Sequence, residues 1–268
     1  MKKETLLITG ANGFIGSNIC NFFNEKFKII CISRNPPKLN YLWYEFKNSD
    51  INNIEYIFKM HHPEYVIHAA AIAHKNKAYL KRNNFKTIID INVNYTKSLS
   101  QLCKLYNSKR FIYLSSIGVY KLNNGESFLD ENSEINPKNI YGITKYKSEK
   151  IILGNLSKSK TNFTIFRLPI VYGKKCPGNI FKLIKLVDSN LPLPFGNFTK
   201  KRSMLSINNL VSAIDFSIKS VKTRDKIYLL SDKELISTRE LILLMKKVRN
   251  KKLLLFPLPK LVIKLLKN

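Results

Sequence analysis

The chain has 268 residues, 44% of them apolar, and carries 46 Lys and Arg against 18 Asp and Glu, a formal charge of +28. That apolar share builds an ordinary core, which excludes a disordered chain, and no apolar run reaches the ~18 residues that span a bilayer. Only 8 of the basic residues are Arg, the side chain suited to bidentate base contacts, and the lysines are spread among many Asn and Ile. A solvated lysine surface is therefore expected, with acidic small molecules as the remaining charged partners and nucleic acid not among them. Lys2 and Lys3 precede an apolar stretch that stops at Thr9–Gly10, too short for a signal peptide. Cys20, Cys31, Cys103 and Cys176 form no paired spacing, so a reduced, cytoplasmic setting is expected.

In chain order, residues 4–9 (ETLLIT) read as a short buried strand, 10–16 as a glycine-rich turn and 15–26 as a helix with Ile15, Ile19, Phe22 and Phe23 on one face. Residues 27–33 (FKIICIS) form a second strand, closed by Asn35–Pro36–Pro37. Further buried strands are expected at 65–71, 110–115 and 162–168, with helices over 84–107 and 140–156 and a polar loop over 121–139. Strands alternating with helices imply right-handed crossovers and a parallel sheet. Beyond Pro169 the chain breaks into short pieces around Pro177, Pro192 and Pro194. A helix over 208–221 and a late strand over 226–231 then follow.

Thr9-Gly-Ala-Asn-Gly-Phe-Ile-Gly16 lies between a strand and a helix, the setting in which spaced glycines bind a dinucleotide. Gly10 suits the tight turn, Gly13 lets the backbone approach a pyrophosphate, and Gly16 lets the helix pack close. Asn12, Phe14 and Ile15 belong to the same segment. Arg34 stands after the second strand, where an NAD-binding unit usually has an acid; a cation there favours a 2′-phosphate, so the cofactor is NAD or NADP with NADP slightly preferred. Asp50, beside Ile51, is a candidate acceptor for the adenine amino group.

Tyr141-Gly-Ile-Thr-Lys145 places a phenol and an ammonium on one helix face. The spacing alone is common, and Tyr146 with Lys150 repeats it. The setting distinguishes the first pair: it follows the strand ending Leu114-Ser-Ser-Ile-Gly-Val-Tyr120, where open α/β sheets bind ligands. A tyrosine is a weak base at neutral pH, and a neighbouring lysine cation together with an oxidised nicotinamide would lower its pKa.

TGANGFIG, VIHAAA, SSIGVY, YGITK and FRLPIVYG occur in this order, and from about residue 4 to about residue 260 the chain resembles the extended short-chain dehydrogenase/reductases, the NAD-dependent epimerase/dehydratase group. The resemblance implies an α/β fold: a Rossmann doubly wound parallel sheet over 1–170, with 208–231 returning to it. A smaller C-terminal substrate-binding lobe would comprise 171–207 and 232–268. It implies a catalytic trio of Ser116, Tyr141 and Lys145, with Lys145 also on the nicotinamide ribose and Ala69, Ala70 and Pro169 lining the cofactor. In the second half, PGN at 177–179, LPLPFG at 191–196 and KRS at 201–203 resemble the nucleotide-sugar branch, in which Asn179 and Arg202 would hold the nucleotide diphosphate. The implied partner is a nucleotide-diphosphate sugar and the implied assembly a homodimer.

Three departures from the family pattern stand out. Arg34 replaces the acid, Ile170 replaces an Asn common in sugar 4-epimerases, and the chain stops where relatives usually continue, so an incomplete lobe is expected. Two reactions remain open, 4-epimerisation of a UDP-hexose and reduction of a 4-keto sugar. The rival from another class is a non-catalytic nucleotide- or nucleic-acid-binding member of the same fold. His61, His62, His68 and His74 lie close together, but without carboxylate or Cys at ligand spacing no metal is expected. Leu258, Leu261, Val262, Leu265 and Leu266 oppose Lys260, Lys264 and Lys267 on a C-terminal helix. Packing on its own domain is favoured there over weak association with an anionic membrane surface.

Overall fold

The computed structural model describes residues 3–73, 85–121 and 128–259. His74 and the C-terminal helix expected beyond Leu258 lie outside the described residues. The chain divides into two units, Met1–Pro169 with Ile207–Leu230, and Ile170–Ser206 with Ser231–Asn268.

The first unit is built on seven strands: β1 (Thr5–Thr9), β2 (Lys28–Ser33), β3 (Leu42–Glu45), β4 (Tyr65–His68), β5 (Arg110–Ser116), β6 (Asn162–Leu168) and β10 (Lys226–Leu229). Their order is β10-β6-β5-β4-β1-β2-β3 and every pairing is parallel. β1 is buried along its whole length and β5 along all but its last residue, as strands covered on both faces must be. The chain runs outward from β1 through β2 and β3 and then returns to β4 on the other side of β1. The order thus reverses between β1 and β4, and their C-terminal ends, Thr9 and His68, are register partners there.

Two helices position the residues of interest. The first, Phe14–Phe23, buries Gly16, Ile19, Cys20 and Phe23. The second, Ile140–Leu156, starts where the Asn139 side chain accepts from the Gly142 amide at 2.9 Å. Its buried face is polar at the start (Lys145, Ser148, Glu149) and apolar at the end (Ile152, Leu156). The single helix expected over 84–107 is interrupted. A π-helical turn, Asp90–Asn94, separates Phe85–Ile89 from Tyr95–Leu105, and the Asn92 carbonyl inside it accepts the hydroxyls of Thr96 (2.9 Å) and Ser148 (2.6 Å). β3 and the helix Ile51–His61 carried no sequence expectation.

The second unit has two small sheets. β7 (Ile170–Tyr172) pairs in parallel with β9 (Met204–Ser206), and β8 (Lys201–Arg202) pairs antiparallel with β11 (Ile236–Ser237). Its helices Asn179–Asp188 and Thr238–Val248 pack around Leu183, Val187, Leu193, Ile242 and Leu253. Ser237 and Glu240 close a capping box on the second of them. Among the described residues no helix is long and apolar enough to cross a membrane.

Under the ends of β5 and β6 lies a buried ion pair. Arg167 grips Glu149 with Nε at 3.1 Å and a terminal nitrogen at 2.8 Å, and also donates to the Tyr120 hydroxyl at 2.8 Å. Glu149 in turn accepts from Ser115 at 2.5 Å. Removing one partner of such a pair leaves a buried charge uncompensated, a loss of about 3–5 kcal/mol. Arg167→Met should therefore lower the urea midpoint strongly, whereas Arg249→Met, breaking the exposed pair with Asp188, should shift it far less. Equal midpoints in urea titrations of the two variants would contradict this.

Candidate active site

The glycine turn closes tightly. Gly10 has φ +68°, its amide donates to the Ile32 carbonyl, and its carbonyl accepts from Gly13, both at 2.9 Å. A methyl group on Gly16 would sit 2.2 Å from the Gly10 carbonyl oxygen, so only glycine fits. The helix begins at Phe14 and Ile15 with no side chain capping it, leaving its first-turn amides for an anion. Gly10, Asn12, Gly13, Arg34, Ala69 and Ala70 all line one cleft of about 230 Å³, with Phe46, Ile91 and Tyr95 among its apolar walls. The turn, the small residues and the cation thus fit a dinucleotide.

The other residues expected on the cofactor do not line that cleft: Phe14, Ile15 and Gly16 lie in the helix behind the turn, Tyr141 and Lys145 lie on the helix Ile140–Leu156, and Asp50, Ile51 and Pro169 stand elsewhere. Asp50 is the N-cap of the helix Ile51–His61, and its carboxylate accepts from the Asn52 amide at 3.0 Å. An acid directly ahead of an apolar-periodic stretch is a capping signal as much as a ligand signal.

At the end of β5 the two serines separate by strand alternation. Ser115 is buried on Glu149, whereas Ser116 is half-buried and accepts from the Gly118 amide at 3.1 Å. The Ser116 hydroxyl proton has no acceptor among the described residues. A close backbone contact fixes the next element: a methyl group on Gly142 would lie 2.1 Å from the Gly118 carbonyl oxygen. Tyr141 is the neighbour of that contact. One turn on, Lys145 is 2% exposed and donates to the Leu114 carbonyl at 2.6 Å, two residues before Ser116. Its ammonium lies 4.5 Å from the centre of the Tyr113 ring and 5.8 Å from that of Tyr141. Tyr146 is half-buried and its partner Lys150 exposed, so the second pair with this spacing stands apart from the buried face.

Burial sets the electrostatics. Loss of hydration pushes Lys145 down to about 7, against the pull of Glu149, and pushes Tyr141 up to about 12. The expected depression of Tyr141 by Lys145 is thus not seen in the protein alone, because desolvation outweighs a cation whose hydrogen bond goes to Leu114.

Asn179 opens the helix Asn179–Asp188, and Arg202 lies on β8 with a 3.4 Å contact to Thr238; both are exposed. Two buried polar residues stand near the site: Asn92, which carried no sequence expectation, and His68, which the sequence marks only as part of VIHAAA and of the histidine group. Asn92 is 1% exposed; its side chain bonds the backbone of Ile72 at 2.8 and 3.2 Å and donates to Thr144 at 3.1 Å. His68, wholly buried, sits between Thr9 (2.6 Å) and Thr96 (3.0 Å). The one signal for Asn92 was an amide at a buried helical position. Among the described residues no group of His, Cys, Asp and Glu could hold a metal ion.

Fold and glycine turn together define a Rossmann-type nucleotide-binding protein. Residues 6–230 match the model of the NAD dependent epimerase/dehydratase family. A UDP-glucose 4-epimerase from Vibrio cholerae is 32% identical over 252 residues, covering 89% of this chain and 74% of its own. The chain belongs to the NAD-dependent epimerase/dehydratase family and is an enzyme of that type. A UDP-glucose 4-epimerase structure from Thermotoga maritima superposes with a TM-score of 0.79 at 23% identity, covering 96% of this chain and 86% of that one. A monomeric L-threonine 3-dehydrogenase from a metagenome does so with 0.78 at 25% identity, over 94% and 84%. The shared fold therefore does not by itself choose a substrate.

Lys145 gives a pH signature. Its folded pKa lies below the unfolded value near 10.4, so between about pH 7 and 10 the unfolded chain binds more protons and stability rises with pH. The contribution is complete above the unfolded pKa and is lost as pH falls towards 7. The wild type should gain up to about 1.4 kcal/mol per pH unit over this range relative to Lys145→Met. Parallel stability–pH curves from urea titrations would refute the buried, desolvated ammonium.

Proposed function

We propose that the chain is an NAD(P)-dependent enzyme that inverts C4 of a nucleotide-linked hexose. The observation that carries this reading is the buried face of the helix Ile140–Leu156. It holds Tyr141 and Lys145 beside the end of β5, locked by the Gly142–Gly118 contact and the Lys145–Leu114 hydrogen bond. The likeness to a UDP-glucose 4-epimerase over 89% of the chain supports the choice of reaction.

Gly10, Asn12, Gly13, Phe14, Ile15 and Gly16 would hold the pyrophosphate, Arg34 the adenosine ribose, Ala69 and Ala70 the ring system, and Lys145 the nicotinamide ribose. Bound there, an oxidised nicotinamide supplies the hydride acceptor and a second positive charge near Tyr141. Tyr141 exchanges the proton of the sugar O4, and at a pKa of about 12 it holds its own proton until positive charge gathers around it. Ser116 donates its spare hydroxyl proton to the same oxygen and holds it in line. Asn179 and Arg202 would grip the diphosphate. No net oxidation of the sugar results.

A second reading rests on Arg34, which lines the cleft as a cation rather than an acid. It favours a 2′-phosphate and, with it, a 4-keto sugar reductase that consumes NADPH in proportion to product.

Tyr141→Phe should lower turnover of the UDP-hexose about 10²–10⁴-fold while dinucleotide affinity stays within a few fold. Arg202→Ala should raise KM rather than lower kcat. Steady-state kinetics with UDP-glucose and UDP-N-acetylglucosamine test both, and a fully active Tyr141→Phe would overturn the mechanism. Stoichiometric NADPH loss on adding a 4-keto sugar would select the reductase instead.

A further inference from the structure

His68 ends β4 with its ring wholly buried, and its partners fix where its proton sits. Thr96 Oγ1 lies 2.9 Å from the Asn92 carbonyl, which can only accept. Thr96 spends its one proton there, so it must accept at its 3.0 Å contact with His68 Nε2. Nε2 therefore carries the proton and Nδ1 is bare. Thr9 Oγ1, 2.6 Å from Nδ1, donates to it and accepts from the Ala70 amide at 3.2 Å.

Each proton in the chain Ala70 N–H, Thr9, His68, Thr96, Asn92 C=O points the same way. The other neutral tautomer leaves the Thr96–Asn92 contact without a proton and the Thr9 hydroxyl without an acceptor. A doubly protonated ring leaves Thr9 in the same position and buries a second cation facing Lys145. Burial first, and the charge of Lys145 second, push His68 well below the usual histidine range.

Each end of this chain reaches a functional element. Thr9 and Ala70 flank Gly10, whose added methyl group would strike Ala70 Cα at 2.9 Å. Asn92 bonds Ile72, two residues beyond Ala70, and also Thr144 and Ser148 on the helix that carries Tyr141 and Lys145. We propose that His68, as the neutral Nε2–H tautomer, is a positioning residue that holds the dinucleotide-binding turn and the catalytic helix in one register. It touches neither cofactor nor substrate, and the inference rests on the dinucleotide reading given above.

Trp43, the only tryptophan, reports dinucleotide binding in the full chain. It bonds the carbonyl and hydroxyl of Ser33 at 3.2 and 3.1 Å, next to Arg34 in the cleft wall. Fluorescence titration with NAD and NADP gives Kd, and thermal melts of the ligand-free protein give Tm. His68→Phe keeps the volume but strands both threonine contacts, and should raise Kd about tenfold or more and lower kcat at saturating dinucleotide. His68→Asn keeps an acceptor near the Nδ1 position and should hold Kd within threefold. His68→Gln keeps a donor near the Nε2 position and should hold kcat better than Kd. A purely structural role would lower Tm in all three without splitting Kd from kcat.

In the wild type, ¹⁵N NMR of the imidazole should show the bare-nitrogen shift at Nδ1. His68→Phe with unchanged Kd and kcat, or the bare-nitrogen shift at Nε2, would overturn the proposal. Should His68→Phe fail to fold, the Asn and Gln variants and the NMR spectrum still decide it. A wild type that binds no dinucleotide would instead overturn the reading of the site, while the NMR spectrum still tests the hydrogen-bond chain.

Discussion

The backbone of Gly142 lies so close to the carbonyl of Gly118 that a methyl group between them would sit 2.1 Å from the oxygen. This approach sets the depth at which the helix Ile140–Leu156 rests on the end of β5. Depth and helical period together decide where each group sits: Tyr141 half-buried beside the contact, then Lys145, Ser148 and Glu149 buried below it. A larger residue at Gly142 would lift the helix and move every one of them. The same contact brings a phenol and an ammonium to the last residues of β5, where Ser116 has just emerged from the sheet by alternation while Ser115 stays beneath it.

Placing so many polar groups inside a protein is costly unless each is partnered. Here nearly all are. Glu149 is held by Arg167 and Ser115, Lys145 by the Leu114 carbonyl, and His68 by two threonines. Two polar systems therefore meet on one helix. The ion pair anchors it to β5 and β6, and the histidine chain, acting through Asn92, ties it to β1 and β4. Lys145 is the exception in kind: its hydrogen bond goes to a carbonyl beside the Tyr113 ring, and burial outweighs the pull of Glu149, so its pKa falls to about 7. Stability given up at that position is consistent with a site built for chemistry rather than for packing.

Much of the parallel sheet could be read directly. β1, β2, β5 and β6 are rich in apolar residues and buried along nearly their whole length, and the helix 140–156 has a cap in Asn139. The glycine spacing and the Tyr141–Lys145 pair were equally legible, because each has a local backbone reason. β3 was not, being four half-exposed or exposed residues whose strand identity comes only from pairing with β2. The helix Ile51–His61 left a trace in Asp50 and in the spacing of Ile51, Ile54 and Phe58, but the acid was assigned to adenine instead of to the cap. The π-helical turn has no period of its own, so Asn92 and its link to Thr144 emerge only in three dimensions. In the second unit, strands of two or three residues are too short for alternation to register.

The central claim is that Tyr141, Lys145 and Ser116 serve a reversible exchange at C4 of a nucleotide-linked hexose. Its most direct test is a proton NMR time course with UDP-glucose or UDP-N-acetylglucosamine carrying deuterium at C4, run in ordinary water with the full chain and catalytic dinucleotide. The account predicts that the C4 epimer accumulates to equilibrium with deuterium retained at C4 and no reduced dinucleotide released in proportion to product. Loss of the deuterium to solvent, or no epimer from either sugar by a protein that binds the dinucleotide, would contradict it.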